Sequence, residues 1–348
     1  MNPEKIPSWL LWPLTIPYGA ATRLRGGLYR AGILRPKRLD GAVISVGNLT
    51  VGGTGKTPMA LWIAERLASE GKRAAILTRG YKGDSAGENR SDEAQLMRAR
   101  LGDRAEIGVG ADRFATGREL ETRGVLWFVL DDGFQHMQLA RDVDIVLVDA
   151  TKPFGGQLLP AGRRREPRSA LGRADIVVIM RSSHAPAVEA AIRRDSQAPI
   201  FYARPELRAI RQLNSMTSAA GPSASDSVAD AAAMRGRKLF AFCGIGNPAA
   251  FLADLQRWNL HAADHKFYRD HHRHRQSEFD ALAHEARAAG ADALVCTEKD
   301  AFNLAGVRTD AIDVFYCVIS LCVERGDEFW RSIMAIVEQK HVGGTATE

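Results

Sequence analysis

The stretch GNLTVGGTGKTP, from Gly47 to Pro58, tightly limits what this chain can fold into. Gly52, Gly53 and Gly55 precede Lys56 and Thr57. In such a loop successive backbone N–H groups and a helix N-terminus converge on an anion, a lysine spans the outer phosphates, and a hydroxyl faces a metal ion. The strict pattern G-x-x-x-x-G-K-[ST] has glycine where this chain has Thr50, which alters the start of the loop and removes no phosphate donor. The flanks have the required order. AVISVGN before the loop reads as a strand, and TPMALWIAERLASEGKR after it reads as a helix beginning near Thr57 or Pro58. Ala60, Ile63, Ala64 and Leu67 fall on one face of that helix, and Gly71 sits where it would stop. Thr50, Val51, Gly52, Gly53, Thr54, Gly55, Lys56 and Thr57 are therefore the expected nucleotide contacts.

The same alternation continues along the chain. RAAILTRGY, Val125 to Asp132, Asp142 to Ala150, Asp175 to Met180 and Pro199 to Pro205 read as nearly continuous apolar strands separated by helical patterns. This implies a P-loop NTPase-like α/β fold, a parallel sheet with helices on both faces. Between Gln212 and Lys238 the composition shifts to Ser, Ala, Gly and Asp, after which KLFAFCGIGNP, ADALVCTEKDA and DVFYCVIS resume the pattern. At 348 residues there is room for two cores. The expected organisation is an N-terminal segment (1–40), a P-loop core (41–211), a linker (212–238) and a smaller C-terminal α/β domain (239–340).

The N-terminal segment opens with an apolar run, Trp9 to Ala21, containing Pro13 and Pro17. It is shorter than the roughly 20 residues a spanning helix needs. Arg23, Arg25, Arg30, Arg35, Lys37 and Arg38 follow. Tryptophan and leucine beside a basic zone suit a helix lying in the headgroup plane of an anionic membrane. A helix packed on the core with a solvated basic end has the same pattern, and the sequence does not choose between them. The net charge of +6 is too small to argue for nucleic acid. Cys243, Cys296, Cys317 and Cys322 lie in apolar runs without zinc spacing, as buried thiols in a reducing compartment would. A secretory signal is not visible, so a cytoplasmic location is expected.

A phosphate loop needs an acidic partner at the end of a nearby strand. VLWFVLDDGFQH supplies Asp131 and Asp132 after an apolar run, placed to hold magnesium directly or through water. Arg79 and Arg113 follow apolar runs at strand ends, where they reach either phosphate or a structural carboxylate. His261, His265, His271, His272 and His274 crowd one segment without the spacing of a zinc site, and read as a basic polar loop facing substrate phosphate or solvent. In CTEKDA, Lys299 stands one place too late for a guanine-binding signature.

With both nucleotide motifs in place, the chain resembles the tetraacyldisaccharide 4'-kinase family, whose members phosphorylate an acylated glucosamine disaccharide in lipid A synthesis. The resemblance runs through LLWPLTIPYGA, ISVGNLTVGGTGKTP, ILTRGYKG, SDEAQLMRAR, VLDDGFQHMQLARDVDIVLVDA, FGGQLLPAGRRREP, LGRADIVVI, FCGIGNP, RDHH and CTEKDA. GNLTVGGTGKTP together with DDGFQH and LLPAG is its most specific part, and Thr50 is normal in it. The resemblance implies ATP and Mg2+ as cofactors and magnesium coordination around Asp131 and Asp132, with Glu166 of RREP as a further carboxylate on the metal. It implies Asp92 as the catalytic aspartate and His271 as its histidine partner; the loop itself puts Lys56 on the phosphates, and Asp270, beside His271, is read as a further group orienting Asp92. Read without it, Asp92 is equally a helix N-cap. Its implied partners are an acylated disaccharide 1-phosphate lipid and the cytoplasmic face of the inner membrane, held peripherally, with no stable protein partner. Arg163 stands where many relatives have proline after the glycine, which bears on the shape of that loop. A soluble P-loop ATPase of the switch or metallochaperone type and a non-catalytic nucleotide-binding adaptor are the other classes that GGTGKT permits.

Overall fold

A computed structural model describes residues 8–80, 92–213, 222 and 226–344. In chain order the helices and strands are α1 (Ser8–Arg30), β1 (Ala42–Asn48), α2 (Lys56–Ser69), β2 (Ala74–Thr78), α3 (Asp92–Leu101), β3 (Glu106–Val109), α4 (Arg113–Glu121), β4 (Trp127–Asp131), β5 (Val143–Asp149), β6 (Ile176–Met180), α5 (Pro186–Arg193) and β7 (Ile200–Gln212). They continue with β8 (Val228–Ala229), α6 (Ala231–Arg235), β9 (Leu239–Cys243), α7 (Pro248–Arg257), β10 (Ala262–Phe267), α8 (Gln276–Ala288), β11 (Ala293–Thr297), α9 (Glu298–Phe302), β12 (Asp313–Val323) and α10 (Gly326–Gly344).

These elements form two compact units, and neither is a continuous stretch. The first comprises Met1–Arg79, Asp103–Arg204 and Cys322–Glu348; the second comprises Gly80–Gly102 and Pro205–Leu321. The sequence pattern puts Asp92 inside a 41–211 core, whereas the contacts put it in the second unit. The cause is α3, whose Arg100 donates through Nε to both Glu298 oxygens at 3.0 Å and through a terminal nitrogen to the Ile319 carbonyl at 2.5 Å. Linear periodicity cannot register such pairings. Of the expected 212–238 linker, residues 214–221 and 223–225 lie outside the described residues; β8 and α6 occupy part of the remainder.

In the first unit the strands run β7, β6, β5, β1, β4, β2, β3 across the sheet. Each neighbouring pair in this order is parallel. Strands β1, β2, β5 and β6 are buried along their whole length, as a sheet covered by helices requires. Helix α2 buries Ala60, Ile63, Ala64 and Leu67, the four positions that share a face in the sequence. It closes with Gly71 at φ +71°, where the Gly71 N–H donates to Ala68 and the Lys72 N–H to Leu67. That double bond pattern needs a left-handed residue, which glycine supplies without steric cost. Helix α10 completes the unit: Phe329 is fully buried between Trp62 (centroids 5.5 Å apart) and Phe201 (5.2 Å), and the Trp330 indole donates to Glu70.

In the second unit β10, β9, β11 and β12 are parallel neighbours, with the end of β7 beside β12 and β8 antiparallel to β7. Phe240, Phe242, Phe279, Leu294 and Tyr316 centre one of its cores, and Leu239, Ala241, Val295 and Phe315 centre another. Cys243, Cys296 and Cys317 are buried free thiols; Cys322 is half-buried.

Helix α1 runs unbroken through Pro13 and Pro17. Its large apolar side chains do not pack on a core: Trp9 is 74% exposed, Ile16 60% and Leu24 65%. Tyr18 and Gly19 instead tether it, the Tyr18 hydroxyl donating to the Arg165 carbonyl at 2.9 Å and Gly19 lying against Leu158. Among the described residues, no helix is long and apolar enough to cross a membrane.

One close approach fixes the centre of the first unit. A Cβ on Gly47 would stand 2.5 Å from Phe134 Cβ and 2.6 Å from its backbone nitrogen, so only glycine lets the end of β1 lie against the turn after β4. Gly47→Ala is expected to destabilise the protein by about 1–3 kcal/mol, as overpacking against backbone does. Chemical denaturation checks this, and an unchanged midpoint would contradict the packing argument.

Candidate active site

The phosphate loop leaves the carboxyl end of β1, between β4 and β5, and enters α2 at Gly55. Ligands of open α/β sheets bind at this edge. Gly52 (φ +115°) and Gly55 (φ +91°) take left-handed backbone that other residues rarely adopt, and a Cβ on Gly55 would also strike Met180. The buried Thr54 hydroxyl accepts from Asn48 Nδ2 at 2.8 Å, tying the loop's crest to the strand that launches it. The loop's first residues are held from outside. Val51 N–H donates to the Arg163 carbonyl, Arg163 Nε donates back to the Val51 carbonyl, and Thr50 bridges to Arg164. Arg163 N–H also donates to the Gly155 carbonyl at 3.0 Å, a bond that proline at this position would lack.

Lys56 Nζ lies 3.4 Å from both Asn48 Oδ1 and the Gly52 carbonyl and 3.6 Å from Asp132. These are long contacts, so the ammonium gives up little in exchanging them for phosphate oxygens. The first turn of α2 adds N–H groups without intrahelical acceptors and the positive end of the helix dipole.

The two aspartates differ in their partners. Asp131 ends β4 in register with Val46, and its Oδ2 accepts from the Thr57 hydroxyl at 3.3 Å. Asp132 turns out at φ +54°, and one Arg165 nitrogen donates to both of its oxygens at 2.8 Å. Burial raises the Asp132 pKa, but Lys56 and Arg165 outweigh it and hold the carboxyl below its ordinary value. Thr57 and Asp131 are the hard oxygen donors that magnesium takes, and they meet at the start of α2 beside the phosphate loop. In donor chemistry this pair would suit such an ion.

Glu166 has other partners. Arg173 donates to its two oxygens at 2.8 and 3.2 Å, and Gln135 adds a bond at 3.1 Å. Among the described residues no three His, Cys, Asp or Glu side chains gather as a metal-holding group, so the expected ligand set of Asp131, Asp132 and Glu166 is not assembled. Glu166 instead ends a chain running from Lys56 through Asp132, Arg165 and Gln135. Asn48, Arg165, Gln135 and Arg173 are participants that sequence reasoning missed; they lie in the quoted motifs, but no spacing rule marks them. Arg113, the first residue of α4, is buried. Burial, followed by Arg79, pulls its guanidinium below the ordinary range while Asp132 and Asp131 oppose this. His136 is pushed down to about 4, by burial first and then by Arg113, Arg141 and Arg25. An environment this basic suits phosphate esters.

In the second unit the structure brings together Asp92 and His271. Asp92, in the first turn of α3, lies 2.9 and 3.1 Å from His271 Nδ1 through its two oxygens and accepts from the Glu93 N–H. His271 sits at φ +61° in the loop after β10, where its N–H donates to the Gly244 carbonyl. Gly244 in turn donates to the fully buried Asp300 at 2.6 Å, and a Cβ there would meet the Arg269 carbonyl at 2.8 Å. Lys299 joins the pair, as does Asp270, whose Oδ1 accepts from Lys299 at 2.9 Å. Burial raises the Asp92 pKa, yet the His271 hydrogen bond and the Lys299 charge prevail and hold it at about 2. His271 is moved up: burial lowers its pKa, and the bond to Asp92 more than compensates.

The remaining histidines divide. His274 is buried, edge-on to Phe242 and Tyr268, and held at about 4 by burial and then by His272; His272 stacks flat on Tyr268. His274 is thus a packing residue, while half-buried His272 also lies 3.4 Å from Glu278.

Asp92 stabilises the fold in a pH-dependent way. Its folded pKa of about 2 lies below the unfolded value near 3.9, so its contribution is complete above about pH 4 and is lost as pH falls through about 2. Asp92→Asn is expected to lower stability by roughly 2 kcal/mol at pH 7, with the gap closing between about pH 4 and 2. Denaturant titrations of both proteins across that range measure it; a gap independent of pH contradicts the ion pair.

A family model described as tetraacyldisaccharide-1-P 4'-kinase matches residues 7–338. A tetraacyldisaccharide 4'-kinase of Geobacter metallireducens is 40% identical over 330 residues, covering 90% of this chain and 93% of that protein. One from Halothermothrix orenii is 35% identical, covering 86% and 83%. A crystal structure of LpxK from Aquifex aeolicus, described as an "apo" form in complex with ATP, superposes with TM-score 0.70 at 27% identity over 95% of this chain and 99% of that one. With its phosphate loop, strand-end aspartates and whole-length similarity, the chain belongs to the tetraacyldisaccharide-1-P 4'-kinase family.

Proposed function

We propose that this kinase transfers the γ-phosphoryl group of ATP to the 4'-hydroxyl of a tetraacylated glucosamine disaccharide 1-phosphate, giving a 4'-phosphorylated lipid A precursor. The observation that carries the reading is the nucleotide loop with Lys56 poised beside Asp132 in a chain of this family. Phosphoryl transfer passes through a loose transition state, so the protein's task is alignment and charge neutralisation. In the first unit, the amides from Thr50 to Thr57 and the Lys56 ammonium receive the β- and γ-phosphates. Thr57 and Asp131 would hold magnesium, which when bound neutralises charge on those phosphates. Asp132 guides Lys56 and stays ionised through Arg165; Glu166 would be available to the metal only if it were released from Arg173.

In the second unit Asp92 accepts the proton of the attacking hydroxyl. Held at about 2, it is ionised throughout the physiological range and passes the proton to solvent readily. A weak base suffices where bond formation to the nucleophile is little advanced. His271 fixes the carboxylate's orientation through Nδ1. Helix α1, with exposed Trp9, Trp12, Leu14 and Ile16 followed by Arg23, Arg25 and Arg30, lies at the membrane surface where an acylated substrate resides, on the cytoplasmic face of the inner membrane.

Two measurements test this. With γ-labelled ATP and detergent-dispersed disaccharide 1-phosphate, label is expected on the distal sugar. Asp92→Ala is expected to lower kcat about 100-fold or more while ATP binding is retained, whereas Lys56→Ala weakens ATP binding itself. Hydrolysis without label on the sugar would favour a soluble ATPase. In flotation with anionic phospholipid vesicles, replacing Trp9, Trp12 and Ile16 by Glu should abolish binding; full retention would remove the membrane role of α1.

A further inference from the structure

The group that most needs explaining is Lys299, which the nucleotide motifs leave unused. It is the second residue of α9, its side chain is 16% exposed, and its ammonium is surrounded by functional atoms. Nζ lies 2.9 Å from Asp270 Oδ1, 3.3 Å from His271 Nε2, 3.6 Å from Asp92 Oδ2 and 3.9 Å from Glu93 Oε1. Its place is enforced. Glu298, the preceding residue, is locked to Arg100 of α3, the following residue Asp300 caps the loop bearing His271 by accepting from Gly244, and Thr297 caps α9. The helix that carries Lys299 is thus fastened to the helix that carries Asp92 and to the turn that carries His271.

An ammonium has only donors to offer. Against His271 Nε2 it makes a hydrogen bond only when that nitrogen carries a lone pair, which places the imidazole proton on Nδ1, facing Asp92. The opposite tautomer would turn an Nε2–H toward the ammonium and a bare Nδ1 toward a carboxylate, setting like against like at both ends of the ring. Asp270 lies 3.8 Å from Nε2, beyond hydrogen-bond reach, and is itself occupied by Lys299.

We propose that Lys299 is a positioning residue for the Asp92–His271 pair, its ammonium fixing His271 in the Nδ1–H tautomer so that the imidazole donates to Asp92 and leaves that carboxylate ionised and aligned. This deepens the reading of Asp92 as proton acceptor and rests on it. Among the described residues, charged and titratable groups facing the imidazole include Asp92 and Glu93 from α3, Asp270 beside it in the loop, and Lys299 from α9. The lysine charge opposes protonation of His271 while Asp92 and Asp270 favour it. Removing the lysine charge therefore lets His271 protonate at higher pH.

The test uses the full-length kinase with Lys299→Met, Lys299→Arg, Asp270→Asn and Asp92→Ala. Lys299→Met is expected to reduce kcat about 10- to 100-fold with the KM for ATP unchanged, and to move the acid limb of the kcat profile to higher pH. Lys299→Arg, which keeps the charge, should recover most of the activity. In 15N spectra of histidine-labelled protein, wild type should show Nδ1 protonated and Nε2 unprotonated for His271. Lys299→Met should show mixed tautomers, and Asp270→Asn a smaller change in the same direction. If His271 keeps one tautomer in Lys299→Met and in Asp270→Asn, the proposal is overturned, as it is if Met and Arg reduce kcat equally. Should Lys299→Met fail to fold, Asp270→Asn and Lys299→Arg carry the spectroscopic comparison. Wild-type turnover in Asp92→Ala would instead sink the proton-acceptor reading, and the tautomer data would still decide what Lys299 does to the ring.

Discussion

The missing side chain at Gly47 decides where the phosphate loop stands relative to its aspartates. Because Phe134 closes directly on that α-carbon, the end of β1 and the turn carrying Asp131 and Asp132 are pressed together. Parallel pairing alone would set Val46 level with Asp131; the close approach fixes how the chain turns afterwards. From it follow the Thr57–Asp131 contact, the outward swing of Asp132 and the reach of Arg165. A larger residue would not merely cost packing energy; it would move the carboxylates with respect to the helix that receives the phosphates.

The two functional clusters use charge differently. Asp132 lies 3.6 Å from Lys56, a contact long enough to be given up, and 2.8 Å from Arg165, which helps keep the aspartate ionised. Around Asp92 the described groups Lys299, His271, Glu93 and Asp270 share a small volume, and the shared hydrogen bonds set which atoms carry protons. The first arrangement is made to exchange partners. The second is made to keep them.

What the sequence revealed divides along the same line. The strand, loop and helix around Gly47 to Ser69 were legible because their determinants lie side by side: glycines where backbone must turn left-handed, apolar residues at helical spacing, a glycine stop. The aspartates were legible for the same reason, as the polar end of an apolar strand. Partners that depend on distant segments were not. Arg173 on Glu166, Arg165 on Asp132 and Lys299 beside His271 require the fold to bring them together, and no local pattern distinguishes them from solvated charge. His274 read as part of a polar loop because its neighbours are charged, yet it turns inward against Phe242. The strand expected to stop at Pro205 continues to Gln212. Proline there ends a local reading, but its carbonyl is still used, by Arg257.

Helix α10 follows the other described elements along the chain and is built into the unit whose sheet begins with β1. Its Phe329 fills a space between Trp62 and Phe201, and Trp330 reaches back to Glu70 at the end of α2. During synthesis the nucleotide loop therefore emerges long before the helix that rests on α2, and the apolar surface around Trp62 waits uncovered while every described element from β2 to β12 is translated. The order of synthesis and the order of completion are opposed: the nucleotide-binding half reaches its final packing only when α10 arrives.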